Sequence, residues 1–370
     1  MTDVVNVEQI NAVYLKVTAD PGTRQEIQQF FSFRPNNYQF TPAYKNRMWD
    51  GKIRLYDLRK KQIYAGLYKY LIEFANARNY EFIVEDNSMY GRPDIEELHD
   101  IESLLKQVTL TANGDSITPR DYQLSALSHA LTNKSSLLLS PTASGKSLII
   151  YLAVRYFLEM YDRNVLLIVP TTSLVEQMYS DFGDYSTNDE WSVESNCHKI
   201  YSGKEKYNLK HRVIITTWQS IYKMQTPWFE NYGMVIGDEA HNFKAKSLTA
   251  ILEKCVNAQY RLGTTGTLDG TQTHQLVLEG LFGPVHKVTT TKKLIEENSL
   301  SQLDIFVLLL KYGDEYCKLV SKMKYQDEMS VEMIRQQLNL SASAVKMRLK
   351  RARDRLRKLY QNTHGKRETL

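Results

Sequence analysis

The chain has 370 residues, of which 42% are hydrophobic and 24% charged, a composition typical of a globular protein with two or three domains. It has no apolar run near the ~20 residues of a membrane span, and no secretory signal is recognisable at the N-terminus. Three widely spaced cysteines predict neither a disulfide framework nor a zinc site, so we expect a protein of the cytoplasm.

Residues 1–112 are patterned as a small α+β domain. We predict strands and helices in the order β-α-β-β-α-β, at residues 13–17, 21–31, 52–56, 62–65, 67–78 and 80–84. The expected inner faces of the two helices are formed by Ile27, Phe30, Phe31, Leu67, Leu71 and Phe74. An acid-rich stretch at 81–102 then indicates the boundary to the next domain.

A basic and aromatic stretch lies inside this first domain. Residues 34–61 contain 8 Lys/Arg and 2 acids, interleaved with tyrosine, phenylalanine and tryptophan. Cations for phosphates beside flat rings for bases indicate a nucleic-acid surface, for which we select Arg47, Trp49, Lys52 and Arg54. The alternative is a half-exposed hairpin with a solvated charged face, because aromatic residues also favour strands.

Two residues open a helix upstream of the central motifs. Tyr122 and Gln123 follow a Pro-Arg-Asp start. The Gln123 amide could read the hydrogen-bonding edge of adenine, with Tyr122 packing nearby, so both are candidate nucleotide ligands. An ordinary polar helix start is the alternative.

The segment 140–147, SPTASGKS, lies between an apolar run and an apolar-patterned helix. This order is that of a phosphate-binding loop, in which backbone N–H groups and a helix N-terminus hold an anion. The candidate phosphate ligands are Thr142, Ser144, Gly145 and Lys146. Ser147 would offer its hydroxyl to Mg²⁺. Ser140 stands where the full pattern has Gly, and a plain strand-to-helix turn is the alternative.

Two further buried strands run into threonines. Residues 165–169 lead into Thr171 and Thr172, and residues 213–215 lead into Thr217. Groups that follow parallel strands lie at the carboxyl edge of the sheet, where ligands bind, so we expect these threonines to contact nucleic acid. Helix N-capping is the alternative, and both roles can coexist.

An acidic pair follows another buried strand, 92 residues after Lys146, in the sequence Asp238-Glu239-Ala240-His241. Such a pair is costly unless a cation or water occupies the site. We predict that Asp238 holds Mg²⁺ and that Glu239 orients and deprotonates the attacking water. His241 would couple this site to its neighbours, and the hydroxyls of 261–267, RLGTTGT, suit a link to a bound strand.

These ordered motifs resemble the first motor lobe of superfamily 2 helicases. The N-terminal stretch, with FSF at 31–33 and WDGKIRL at 49–55, is similar to the small N-terminal domain of the phage UvsW helicases. The resemblance covers about residues 1–328. It implies an α/β fold with a parallel-sheet, RecA-like lobe, and ATP- and Mg²⁺-dependent unwinding or branch migration of DNA in recombination, repair and replication restart. The implied partner is branched or single-stranded DNA, or an RNA–DNA hybrid, in the host cytoplasm.

The C-terminus departs from this resemblance. Residues 330–370 carry 11 Lys/Arg against 3 Asp/Glu, within a net charge of +5 for the chain. Two helices around a turn at 338–340 form a helix-turn-helix pattern, similar to region 4 of extracytoplasmic-function sigma factors. Lys346, Lys350 and Arg353 share a face and are candidate DNA contacts. The alternative is a solvated basic helix that packs on the motor lobe.

The expected domain plan has four parts. They are a recognition domain at 1–112, a motor lobe at 113–300, a linker or start of a second lobe at 301–328, and the basic tail at 329–370. Residues 304–310 look like the strand entering a second lobe, but no Gly-Arg-x-x-Arg-like segment follows.

Our first hypothesis is therefore a DNA helicase or translocase without a recognisable second motor lobe, for which we expect a monomer. A DNA-binding or transcription-related protein with a passive ATP-binding scaffold is the second, and an inactive fragment is the third. A natural fusion, a frameshift remnant or an engineered chimera would each give this sequence.

Overall fold

The computed structural model describes residues 3–85, 97–203, 205–207, 210–244, 246–268, 272–297 and 314–364. The chain divides into two compact units, Met1–Ser301 and Gln302–Leu370. None of the helices in the described ranges has the length and apolar character needed to cross a membrane.

The first unit begins with a small α+β domain. Its elements in chain order are β1 (Val4–Gln9), β2 (Tyr14–Thr18), α1 (Pro21–Phe30), β3 (Ser32–Phe33), α2 (Pro42–Lys45), β4 (Ile53–Arg54), β5 (Gln62–Tyr64), α3 (Tyr68–Ala77) and β6 (Glu81–Val84). Four strands form a sheet in the order β5-β2-β1-β6, with β1 antiparallel to β2 and parallel to β6. The sequence analysis missed β1, and the strand that it predicted at 52–56 is only the short β4.

The helices of this domain bury the faces expected from their periodicity, with one exception. Leu67, Leu71 and Phe74 are buried, as predicted, and so are Ile27 and Phe31. The prediction for Phe30 was wrong, because its side chain is 40% exposed. Residues four apart on a helix share a face, so positions 27 and 31 together define the buried face of α1. Position 30 then lies at the margin of that face, next to solvent. There Phe30 packs against the Phe74 ring, with centroids 5.3 Å apart.

A larger α/β domain follows in the same unit. Its elements are α4 (Glu97–Gln107), β7 (Thr111–Ala112), β8 (Asp115–Ser116), α5 (Asp121–Asn133), β9 (Ser135–Leu139), α6 (Lys146–Met160), β10 (Asn164–Val169), α7 (Thr172–Tyr185), α8 (Val193–Asn196), β11 (Cys197–Ile200), β12 (Val213–Thr217), α9 (Trp218–Ile221), α10 (Thr226–Phe229), β13 (Tyr232–Asp238), α11 (Lys246–Lys254), β14 (Tyr260–Thr265), α12 (Gln272–Phe282), β15 (Val285–Lys287) and α13 (Thr291–Glu296). Seven strands form one parallel sheet in the order β11-β12-β10-β13-β14-β9-β15, which confirms the predicted fold class.

The register of the central strands places the motif-bearing loops side by side. Asp238 at the end of β13 pairs with Thr264 of β14, and Thr265 pairs with Leu139 of β9. Because the strands are parallel, the loops after β9, β13 and β14 leave the same edge of the sheet. Apolar side chains on both faces of the sheet form two cores, which fix this edge against the surrounding helices.

The small domain is docked on the large one through α12. Leu276 of α12 belongs to the core beneath the N-terminal sheet. The Tyr64 hydroxyl donates to Glu253 at 2.7 Å, and the Tyr70 hydroxyl donates to Glu279 at 2.8 Å. Gly66 lies directly against the α12 backbone, where an added Cβ would meet the Glu279 carbonyl oxygen at 1.9 Å. This approach requires a residue without a side chain.

The second unit is helical. It contains α14 (Asp314–Tyr325), α15 (Val331–Gln337) and α16 (Ala342–His364), joined by a core of Val320, Met323, Ile334, Val345 and Leu349. A turn separates α15 from α16, and Ser341 caps α16, with its Oγ accepting the Ala344 N–H at 3.2 Å. The resemblance of this unit to sigma region 4 stays a prediction. Helix α14 occupies much of the segment for which we expected a linker. The strand predicted at 304–310 lies outside the described residues.

Candidate nucleotide site and nucleic-acid surfaces

The loop between β9 and α6 has the backbone of an anion-binding loop. Ala143 and Gly145 have φ values of 63° and 77°, both in the left-handed region. Left-handed residues in such a loop make backbone N–H groups converge on one point, where an anion can bind. The N-terminus of α6 adds its own free backbone N–H groups. Gly145 is needed at its position, because an added Cβ would lie 2.2 Å from Nε2 of Gln123.

Ser140 fits the loop although the full pattern has Gly at its position. Its Oγ lies 2.5 Å from Oγ of Ser144, and its N–H donates to the Thr265 carbonyl oxygen at 2.9 Å. The Ser144 hydroxyl donates to the Pro141 carbonyl oxygen at 2.7 Å. The buried serine pair therefore closes the loop on itself and ties it to the end of β14. Thr142 is exposed at the tip.

Tyr122 and Gln123 hold the loop from behind. The Tyr122 hydroxyl and the Gln123 amide both donate to the Ser144 carbonyl oxygen, at 3.1 and 3.0 Å. The amide oxygen of Gln123 accepts the backbone N–H of Arg120 at 2.8 Å. Both ends of the Gln123 amide thus bond to protein groups here. Adenine recognition by Gln123 stays a prediction, while support of the loop is observed.

The acidic pair lies beside the phosphate loop, as the motifs predicted. Nζ of Lys146 lies 3.2 Å from Oε1 of Glu239. Nδ1 of His241 lies 3.3 Å from Oε2 of Glu239 and 3.0 Å from Oγ1 of Thr265. Glu239 has a φ of 51°, a strained value for a non-glycine residue and one that clusters at functional sites. His241 thus couples the acidic pair to the threonine segment.

Asp238 is a buried carboxylate at the end of β13. Its side chain is buried, and its Oδ1 accepts the Thr264 hydroxyl at 2.6 Å. Burial raises the pKa of Asp238, whereas the Thr264 hydrogen bond and the nearby Lys146 charge lower it. A buried carboxylate whose charge is disfavoured gains most from a cation. The Asp238 carboxylate and the Ser147 hydroxyl are both oxygen donors of the kind that Mg²⁺ prefers.

The Ser147 hydroxyl also contacts a residue that the sequence analysis did not select. Its Oγ lies 2.8 Å from the Tyr185 hydroxyl, on the last turn of α7. Asp181 lies one turn earlier; burial raises the pKa of its carboxyl, and the Ser147 side chain lowers it. No motif signals these two residues, since their proximity depends on how α6 packs against α7.

The three predicted nucleic-acid contacts of the large domain line one cleft. Thr171 caps α7 by accepting the Leu174 N–H at 3.3 Å, Thr172 is exposed beside it, and Thr217 contacts the Ser220 hydroxyl at 3.0 Å. Thr171 therefore both caps α7 and lines the cleft, while nucleic-acid binding by the three threonines stays a prediction. The cleft, about 680 Å³ in volume, is also lined by Pro170, Tyr201, Ser202, Gly203, Lys206, Gln219 and Ser220. Sequence reasoning missed Lys206, which lies in an irregular loop.

The basic stretch of the small domain forms a structured surface. Nε1 of Trp49 donates to the Lys52 carbonyl oxygen at 2.8 Å, which fixes the indole partly buried. Arg47 is exposed, with a left-handed φ of 56°. The Arg54 guanidinium forms an ion pair with Asp50, so part of its charge is compensated within the chain. Nucleic-acid binding at these four predicted residues stays a prediction.

The tail presents its predicted cations to solvent. Lys346, Lys350 and Arg353 of α16 are all exposed, whereas Val345 and Leu349 are buried in the core of the helical unit. The spacing thus separates a basic face from an apolar one, as expected from the helical period.

Comparisons with known proteins agree with the motifs. Residues 4–85 match the sequence model of the family described as DNA helicase UvsW, N-terminal, and residues 116–270 match that of Type III restriction enzyme, res subunit. The ATP-dependent DNA helicase uvsW of Enterobacteria phage T4 is 31% identical over 326 residues, which cover 86% of this chain and 62% of that protein. The chain thus spans under two thirds of the length of this relative.

Two solved structures extend the likeness to three dimensions. A crystal structure of the UvsW helicase from bacteriophage T4 matches with a TM-score of 0.70 and 30% identity, over 77% of this chain and 99% of that one. A second T4 UvsW structure matches with a TM-score of 0.71 and 29% identity, over 90% of this chain and 64% of that one. The chain therefore belongs to the UvsW-type family of superfamily 2 helicases.

Proposed function

We propose that the chain is the ATP-hydrolysing part of a UvsW-type DNA helicase, which couples ATP hydrolysis to unwinding or branch migration of branched DNA. The observation that carries this proposal is the 3.2 Å contact between Lys146 and Glu239. It joins a phosphate loop to an acidic pair at one sheet edge, the arrangement that phosphoryl transfer to water requires. The role in recombination, repair and replication restart belongs to the same proposal.

Each residue of the site has a distinct task in this proposal. Lys146 and the backbone N–H groups of the loop bind the terminal phosphates of ATP. Asp238 and Ser147 hold Mg²⁺, which neutralises phosphate charge when bound. Glu239 orients the attacking water and accepts its proton, after it has released Lys146 to the phosphates. His241 holds the far side of the Glu239 carboxylate and links it to Thr265.

DNA would bind at two surfaces of the first unit. The threonine cleft offers hydroxyls together with the Lys206 cation, which suits a sugar-phosphate backbone. The Arg47–Arg54 surface of the small domain adds cations beside aromatic rings, which suits unpaired bases near a branch point. Branched DNA would contact both surfaces. An RNA–DNA hybrid is a further candidate substrate.

The test is ATP hydrolysis by the 370-residue chain with and without forked DNA. We expect Mg²⁺-dependent hydrolysis that forked DNA stimulates, and its loss in Lys146→Ala and Glu239→Gln. Lys287→Ala, an exposed lysine on β15, is the matched control and should retain activity. Wild-type hydrolysis that Lys146→Ala does not reduce would contradict the proposal.

A second candidate function is DNA binding through the helical unit, with the motor domain as an ATP-binding scaffold. The supporting observation is the exposed basic face of α16, opposite the apolar core of the helical unit. Changing Lys346, Lys350 and Arg353 to Gln should then remove most DNA affinity and reduce the salt slope by about 3. Lys318→Gln with Lys322→Gln, on exposed positions of α14, is the control. Unchanged affinity would assign binding to the first unit.

A further inference from the structure

The hydroxyl of Ser147 has neighbours on a helix outside the motifs. Tyr185 lies 2.8 Å away, oxygen to oxygen, although 38 residues separate the two in sequence. Asp181, one turn before Tyr185 on α7, is the second polar side chain near this hydroxyl. A residue proposed to bind Mg²⁺ therefore has two polar partners that belong to the protein.

A serine hydroxyl has one proton and two lone pairs, and this inventory decides what the two partners can do. A carboxylate can only accept, whereas the Tyr185 hydroxyl can either donate to Ser147 or accept from it. Whichever partner takes the Ser147 proton, at least one lone pair of Ser147 remains for a cation.

The two partners are held firmly. The Tyr185 ring packs on the ring of Tyr151 of α6, with centroids 5.5 Å apart. Phe182, between the two partners in sequence, is fully buried in the core that α6 and α7 share. The end of α7 is fixed further by Asp184, whose carboxylate accepts the Asn113 N–H at 2.9 Å. The partners thus form a rigid support for the serine.

We propose that Tyr185 and Asp181 are positioning residues, which orient the Ser147 hydroxyl so that a lone pair faces the Mg²⁺ of the bound nucleotide. Outer partners of this kind fix the orientation of a metal ligand and raise its basicity. The inference rests on the proposed ATP-dependent function, and it extends the metal site to a helix that carries no recognised motif for nucleotide binding.

The test is equilibrium binding of a fluorescent ATP analogue to the full chain, with Mg²⁺ titrated and with EDTA as the metal-free reference. In Tyr185→Phe and Asp181→Asn we expect the Mg²⁺ concentration that gives half-maximal enhancement of analogue binding to rise roughly threefold to tenfold. The reason is that hydrogen-bond partners of a metal ligand tune its affinity for the metal. Affinity in EDTA should equal that of wild type. Tyr179→Phe makes the same change on the same helix and should match wild type in both conditions.

The outcomes separate the inference from the function on which it rests. Wild-type Mg²⁺ dependence in both variants would overturn the inference alone. An equal loss of affinity with and without Mg²⁺ would also overturn it, because such a loss indicates a structural role. Absence of analogue binding by the wild-type chain in either condition would overturn the proposed function and the inference together. Tyr185→Phe keeps the ring and Asp181→Asn keeps the shape, so thermal unfolding should confirm that both variants fold.

Discussion

Glu239 and Lys146 form an ion pair of 3.2 Å across 93 residues of sequence, and both side chains are largely shielded from water. Lys146 is also the residue that would bind the terminal phosphates. The Glu239 carboxylate therefore occupies the partner position that a phosphate would take, and the two anions compete for one ammonium group. Binding of nucleotide and release of Glu239 for catalysis become a single event.

Removing the charge of Glu239 should separate binding from hydrolysis. In Glu239→Gln, Lys146 loses its internal anion, so we expect an ATP analogue to bind severalfold more tightly than to wild type. Hydrolysis should fall by about 10²–10⁴, the usual contribution of a general base. Fluorescence titration and a phosphate-release assay measure the two effects. Weaker binding with retained hydrolysis would show that the pair has another role.

The contact of Gly66 with α12 should be intolerant of any side chain. In Gly66→Ala the Cβ would lie 1.9 Å from the Glu279 carbonyl oxygen, so backbone must move. Overpacking of this kind costs typically 1–3 kcal/mol, and we expect a clearly lower midpoint of thermal unfolding. In Gly266→Ala the nearest atom is 3.7 Å from the Cβ, and unfolding should stay near wild type. An equal midpoint for both variants would contradict the close packing of Gly66 against α12.

The stability of the chain should fall in mild acid because of two stacked histidines. His129 and His286 stack at 3.9 Å, and burial, with the neighbouring His286, lowers the pKa of His129 from 6.5 to about 4. Between these values the unfolded chain binds a proton that the folded chain excludes, so stability is lost as pH falls from about 7 toward 4. After discounting for partial exposure, we expect the free energy of unfolding to be roughly 1 kcal/mol lower at pH 5 than at pH 7.

The variant His129→Phe tests this origin, since it retains a ring against His286 and removes the titration. Urea unfolding at pH 7 and pH 5 should show a smaller difference between the two conditions than in wild type. An unchanged difference would assign the acid sensitivity to other groups.

The cleft beside α7 should contribute to single-stranded DNA binding through Lys206. Loss of one phosphate contact in Lys206→Gln should reduce the slope of log affinity against log salt by about 0.7, the single-strand value. Lys292→Gln removes an exposed lysine of α13 and should leave both affinity and slope as in wild type. Fluorescence anisotropy at several salt concentrations makes the comparison. Equal slopes in the two variants would exclude Lys206 from the binding surface.

The sequence predicted which motif residues meet at this sheet edge, because these residues follow parallel strands. Wherever a buried strand ends in a polar motif, parallel pairing forces the motifs to one edge, so Lys146 and Glu239 had to approach each other. The same reasoning brought Thr171 and Thr217 to one cleft.

The remaining features depend on packing that periodicity does not encode. Tyr185 reaches Ser147 only because of how α6 and α7 pack together, and Phe30 is exposed only because Ile27 and Phe31 take the buried face. Strand β1 was missed because just two apolar side chains, at positions 5 and 7, mark its buried face. Long-range contacts select among local patterns that are equally acceptable in isolation.

The most direct test of the nucleotide site is the affinity of the full chain for an ATP analogue in Mg²⁺, for wild type and Lys146→Ala. Binding requires no second lobe, so it isolates the site that the Lys146–Glu239 pair defines. We predict saturable binding by wild type and an affinity at least tenfold lower in Lys146→Ala, since a phosphate loses its charged partner. Equal affinities in the two proteins, or none in wild type, would contradict the assignment of this edge of the sheet as an ATP site.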